Sequence, residues 1–118
     1  MTKIINLTQH PSTPEQGADD LQGETLAQLK SLLTFDTPPY AFEIKERAEA
    51  IAALVGPECT HAMIGGDPYL MAWLEAALRE VGVQPLYSFS ERVSVETTSP
   101  SGEVVKTSVF KHTGWVFA

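Results

Sequence analysis

A histidine, an arginine, two serines and a pair of glycines carry most of the chemistry this sequence offers, and they fall in three short stretches. Thr8-Gln9-His10 ends in an imidazole whose ordinary pKa suits proton transfer near neutral pH, or donation to a phosphate. Its plainer reading is a turn residue before Pro11. Gly65-Gly66-Asp67 puts two residues without Cβ ahead of a helix start, so the backbone can turn sharply and bring unpaired N–H groups close to an anion. That signal is short of a full dinucleotide fingerprint or P-loop. Asp67 also reads as the helix cap, which would occupy some of those donors, so a simple strand-to-helix turn stands beside the cradle reading. Ser88-Phe89-Ser90-Glu91-Arg92 supplies two hydroxyls, a carboxylate and a guanidinium in five residues. The planar fork of Arg92 can hold two phosphate oxygens at once, or pair with Glu91.

Other candidates are weaker. Neither Ser88 nor Ser90 sits in a Gly-x-Ser-x-Gly elbow, so a Ser-His-Asp hydrolase has no sequence support. His61 reads as a core or helix-facing histidine, and Lys111 and His112 as exposed hairpin residues. Tyr69, Met71 and Trp73 suit a core or a dimer surface better than a shelf for stacking bases. The single cysteine, Cys59, leaves no Cys/His spacing for zinc, and no metal or cofactor is expected.

Those stretches must be positioned by regular elements. Lys3–Thr8 is a short apolar run and reads as a strand buried on both faces. Thr13-Pro14-Glu15-Gln16 has the capping pattern of a helical turn, weakened by Gly17 and by Asp19-Asp20. Leu26, Leu29, Leu32 and Leu33 predict a helix over about 24–34, and Thr37-Pro38-Pro39 stops the chain. Ile44, Ala48, Ile51 and Val55 make the stripe of a second helix, closed by Gly56-Pro57. Thr60–Ile64 is a second strand. A helix then starts after Asp67 with Pro68 first, and buries Leu70, Leu74, Ala77, Leu78 and Val81 before Gly82.

Val83–Phe89 is a third strand. Joined to the second by a helix of about fourteen residues, it must run parallel to it in a right-handed crossover. From Arg92 the pattern alternates, Ser99-Pro100-Ser101-Gly102 is a turn, and Val104–His112 returns antiparallel. Thr113-Gly114 interrupts that strand before a last apolar fragment, Trp115-Val116-Phe117. The expected class is α/β, a single small Rossmann-like domain over residues 1–118: parallel strands with helical crossovers plus a C-terminal antiparallel β-hairpin. In such sheets ligands bind outside the carboxyl ends of the strands, where all three chemical stretches fall.

Composition sets the partner classes. Fifteen acids against eight bases give −7, with the bases scattered, which disfavours long nucleic acid. A small anion remains compatible, because backbone N–H groups can hold phosphate inside an acidic protein. No run approaches a membrane span or an export signal, and one unpaired cysteine fits a reducing compartment, so the expectation is a cytoplasmic protein.

The order Ile4-Ile5-Asn6-Leu7-Thr8-Gln9-His10, Thr13-Pro14-Glu15-Gln16, Ile64-Gly65-Gly66-Asp67-Pro68 and Pro85-Leu86-Tyr87-Ser88-Phe89-Ser90 resembles a family of small uncharacterised bacterial and phage proteins. More distantly it is similar to small Rossmann-like CRISPR-associated ring nucleases, over about residues 3–16 and 60–92. That resemblance implies a homodimer that holds a cyclic oligoadenylate and cleaves it without a metal, by attack of a ribose 2′-OH on its own phosphate. His10 matches the histidine of the N-terminal turn. The departures are the longer C-terminal hairpin and the acidic charge. The working expectation is binding, with cleavage as its extension, of a small nucleotide-type anion, with His10 and Arg92 as catalytic candidates and Thr8, Gln9, Gly65, Gly66, Asp67, Ser88, Ser90 and Glu91 as ligand contacts. The alternative is a non-enzymatic interaction module, suggested by the acidic surface and the apolar Trp115-Val116-Phe117 end.

Overall fold

The computed structural model describes residues 1–118 as one five-stranded sheet with three helices. In chain order these are β1 (Ile4–Asn6), β2 (Asp19–Asp20), α1 (Gly23–Leu33), α2 (Ala41–Ala52), β3 (His61–Met63), α3 (Pro68–Glu80), β4 (Gln84–Thr98) and β5 (Val104–Phe117). The sheet order is β2-β1-β3-β4-β5, with the first four strands parallel and β5 antiparallel at the edge. The α/β reading and the parallel crossover from β3 through α3 to β4 hold.

Alternation along the short strands decides what they bury. Ile5, Leu7, Ala62 and Ile64 join Leu29 and Leu33 of α1, Ile44, Ala48 and Ile51 of α2, and Leu70, Leu74 and Leu78 of α3 in a single apolar cluster. Each fully buried Leu or Ile of this kind contributes roughly 1.5–3 kcal/mol of transfer free energy. Arg47 ties the helices together differently: its guanidinium donates to the carbonyls of Ser31, Leu32 and Thr34 at the end of α1 and lies 4.3 Å from the Phe35 ring. The unpaired carbonyls at that helix end thereby gain a cationic donor.

Five expectations need correction. Val81, read as part of the buried face of α3, lies past the helix end at Glu80 and is 58% exposed. The Thr13-Pro14-Glu15-Gln16 pattern makes one hydrogen-bonded turn and no helix: Gln16 N–H donates to the Thr13 carbonyl at 3.0 Å, and Gly17 then leaves helical geometry at φ 62°. Asp19-Asp20, read as weakening a helix, instead forms the edge strand β2 beside Ile5 and Asn6. α2 ends at Ala52, so Val55 lies beyond it in a half-buried turn. Thr113-Gly114 does not break the last strand. β5 runs through it, with Gly114 opposite Phe89 and His112 opposite Ser90, and Thr113 is the extra residue of a bulge.

β4 and β5 continue well past the body as a two-stranded arm from Ser90–Thr98 to Val104–His112. The radius of gyration is 17.0 Å, against roughly 13.5 Å for a compact chain of this length. No helix is long and apolar enough to cross a membrane.

Candidate functional site

The connection leaving β1 runs to one side of the sheet, to β2, and the connection leaving β3 runs to the other, to β4. The carboxyl ends of β1 and β3 are therefore a topological switch point, where the diverging loops leave a crevice. A cleft of about 440 Å³ opens there, lined by Thr8–Pro11, Gln16, Met63–Gly66, Tyr87 and Ser88. A smaller one of about 200 Å³ lies on the other side of the same Thr8–Pro11 loop and reaches Asp20 and Lys30.

The loop owes its shape to Asn6. This side chain is 4% exposed, and its amide donates to the His10 carbonyl at 2.7 Å and to Asp20 Oδ1 at 2.9 Å. Its carbonyl oxygen accepts from the Thr8 N–H at 2.9 Å and the Thr8 hydroxyl at 2.7 Å. Asp20 in turn accepts from the Ser12 N–H at 3.0 Å. Asn6 above all, with Ser12, holds the Asp20 carboxyl below its ordinary pKa, because these donors favour the charged form against the opposing cost of desolvation. Short strand β2 thus locks the wall that carries His10.

Across the cleft, the Gly65-Gly66 turn presents donors. The backbone N–H groups of Gly65, Gly66 and Asp67 find no acceptor within the protein. Asp67 stands at the cap position of α3 without capping it; its carboxylate accepts from the Tyr69 hydroxyl at 3.1 Å instead. This corrects the expectation that a capping Asp67 would consume the donors. Gly66 has φ 150°, a conformation that side chains with Cβ rarely adopt.

The cleft lining contains no Asp, Glu, Lys or Arg, although the chain as a whole carries −7. An anion placed there meets amide, hydroxyl and imidazole groups rather than carboxylates. Tyr87 is fixed by donating to Glu75 Oε2 at 2.7 Å, while Glu75 Oε1 pairs with Arg79 at 3.2 Å. Burial first, then the bond to the Glu75 carboxylate, pushes the Tyr87 phenol far above the usual tyrosine range.

Of the residues singled out from sequence, Thr8, Gln9, His10, Gly65, Gly66 and Ser88 are brought together around this cleft. Asp67 follows the glycine turn but is not part of the lining. Ser90, Glu91 and Arg92 lie past the cleft, exposed on the arm, and Arg92 packs 5.2 Å from the Phe110 ring rather than against Glu91. Sequence reading missed Asn6, Asp20, Gln16 and, most of all, His112. The His112 Nδ1 lies 2.5 Å from Ser88 Oγ, and Gln16 Nε2 donates to the same oxygen at 3.3 Å. The His112 ring also rests on Trp115, 4.5 Å between centroids.

The model of the Uncharacterized protein MJ1673 family matches residues 2–116. The chain belongs to that family. The match takes in the whole cleft, its Asn6 and Asp20 support, and all of the arm, so family membership covers the site as well as the sheet. No curated protein and no solved structure matches the chain.

Proposed function

We propose that this member of the family binds a small nucleotide-type anion in the cleft at the β1 and β3 carboxyl ends, and cleaves it without a metal. The observation that carries this reading is that Gly65 and Gly66, whose backbone N–H groups have no acceptor within the protein, line a cleft together with hydroxyl, amide and imidazole side chains and no carboxylate. Such donors stabilise a phosphate by direct hydrogen bonds. A cyclic oligonucleotide messenger, such as a cyclic oligoadenylate, is the finer form of the proposal and rests on the sequence resemblance. His10 serves at the mouth as proton donor. Isothermal titration with AMP and with cyclic tetra-adenylate tests the reading: binding lost in Gly65→Val supports it, and no heat from either ligand ends it.

A second reading, a protein-interaction module, has its own observation. On one face of the arm Val93, Val95, Thr97, Val105, Thr107 and Val109 form a β-branched patch that nothing in the chain covers. Residues 91–112 hold three acids and three bases, so the entire −7 resides on the rest of the chain. An arm with no net charge can meet its own copy without the repulsion that the acidic body would impose. Light scattering on the wild type and on Val95→Lys/Val109→Lys tests it: a dimer converted to a monomer with unchanged melting temperature supports it, and a monomeric wild type counts against it.

A further inference from the structure

We propose that Ser88 and His112 are a nucleophile–base pair, and that the protein itself, through Ser88 Oγ, attacks a phosphoester held against the Gly65-Gly66 turn. This rests on the anion-binding reading above for the class of substrate, and replaces the ribose hydroxyl with a protein oxygen as the attacking atom.

Hydrogen-bond roles around Ser88 point this way. Its oxygen accepts from the Gln16 amide N–H at 3.3 Å and lies 2.5 Å from His112 Nδ1, so with the imidazole proton on Nε2 the Ser88 hydroxyl donates to Nδ1. Gln16 is in turn fixed, because its Oε1 accepts from the Thr13 N–H at 2.9 Å. His112 is steadied by Trp115, and it sits behind Ser88 rather than in the cleft lining. The base is thus positioned without blocking the approach to the oxygen it activates.

The sheet register supplies the second half of the geometry. Met63 pairs with Leu86 in the parallel ladder between β3 and β4. Two residues further along each segment come Gly65, just past the end of β3, and Ser88 of β4, and both line the same cleft. Neighbouring strands lie about 4.8 Å apart, so a tetrahedral phosphate resting on the glycine N–H groups stands beside Ser88 Oγ. Those donors would stabilise the charge that develops on its non-bridging oxygens.

The chemistry balances without a metal or an oxidant. The Ser88 O–H proton passes to His112 Nδ1 as the Oγ–P bond forms; the P–O bond to the leaving group breaks with its electron pair on the far side of phosphorus, and that oxygen takes its proton from His10 at the mouth. A water then attacks phosphorus from that far side and gives its proton to His10, while Ser88 Oγ leaves and takes back its proton from the His112 imidazolium.

Bis(4-nitrophenyl) phosphate is the probe, because it has no ribose hydroxyl and can be attacked only from outside. The wild type is expected to release a burst of one 4-nitrophenolate per chain and to gain one nitrophenylphosphoryl group, located on Ser88 by peptide mass mapping. Ser88→Ala should give neither, and His112→Gln, which keeps a polar side chain but cannot take the proton in the same way, should slow the burst about 100-fold or more. Circular dichroism melting confirms that both variants fold, and mapping on the wild type requires neither. No adduct, or an adduct that survives in Ser88→Ala, overturns the pair. AMP binding measured on Ser88→Ala separates the two claims: binding with no wild-type adduct retires the nucleophile alone, and an adduct without AMP binding retires the nucleotide reading while the nucleophile stands.

Discussion

The Asn6 amide donates to Asp20 Oδ1 at 2.9 Å while the same side chain holds the His10 carbonyl at 2.7 Å, so a buried residue of β1 joins a two-residue edge strand to the loop that carries His10. Four hydrogen bonds converge on Asn6, and all of its polar atoms are used. Asn6→Ala should cost about 1–3 kcal/mol in urea unfolding, because partners lose a donor or acceptor that water only partly replaces. It should also raise the Kd for any anion bound in the cleft. An unchanged unfolding midpoint would show that the loop stands without it.

Acid should attack the same junction. Asp20 has its folded pKa held below the ordinary 3.8, first by the bond from Asn6, so its contribution is complete above that value and fades as pH falls through the folded pKa. Melting temperatures of the wild type and Asp20→Asn, followed from pH 6 down to pH 2.5, should converge at the acid end. Parallel curves would remove Asp20 from the acid sensitivity.

The two glycines of the cradle should respond differently to an added methyl. At Gly65 a Cβ would stand 3.7 Å from Thr8 Cγ2, an ordinary contact, so Gly65→Ala should keep its stability while projecting a methyl into the cleft and weakening anion binding. At Gly66 the φ of 150° makes any Cβ strained, and Gly66→Ala should lose about 1–3 kcal/mol as well as affinity. Thermal melts and titrations on the pair read both effects, and equal stability losses would contradict the backbone assignment.

Tyr87→Phe removes the bond to Glu75 but leaves that carboxylate its contact with Arg79. The expected cost is about 1 kcal/mol, with no change in fold. In a spectrophotometric alkaline titration the variant should lose a phenol that ionises well above the usual tyrosine range. A loss within the ordinary range would show that Tyr87 is open to water.

Local signals were enough for much of this fold. The Leu and Ile stripes of α1, α2 and α3 name most of the core, and Pro68 starts α3 where a proline at the first helical position should. β2 escaped notice because two aspartates have little strand propensity; the Asn6 and Ser12 donors that hold Asp20 belong to other parts of the chain. His112 escaped for a geometric reason. Residues three apart on a regular strand face opposite sides, so His112 and Trp115 read as pointing apart. The bulge at Thr113 absorbs one residue and brings them to one side, beside Ser88. His10 and the Gly65-Gly66 turn were legible because glycine, histidine and proline mark loops locally, whereas Arg92 lies four residues past Ser88, out on the arm beyond the cleft lining.

Strand β4 runs unbroken from the body into the arm, and its alternation sets Tyr87, Phe89, Glu91, Val93 and Val95 to one side and Ser88, Ser90 and Arg92 to the other. Tyr87 reaches α3, so the β-branched patch of the arm lies on the helical side of the sheet and Ser88 on the reverse. Were both proposed readings to hold, a partner gripped by that patch would sit on the opposite side of β4 from Ser88, so one continuous strand would serve a surface at its far end and a solute at its near end.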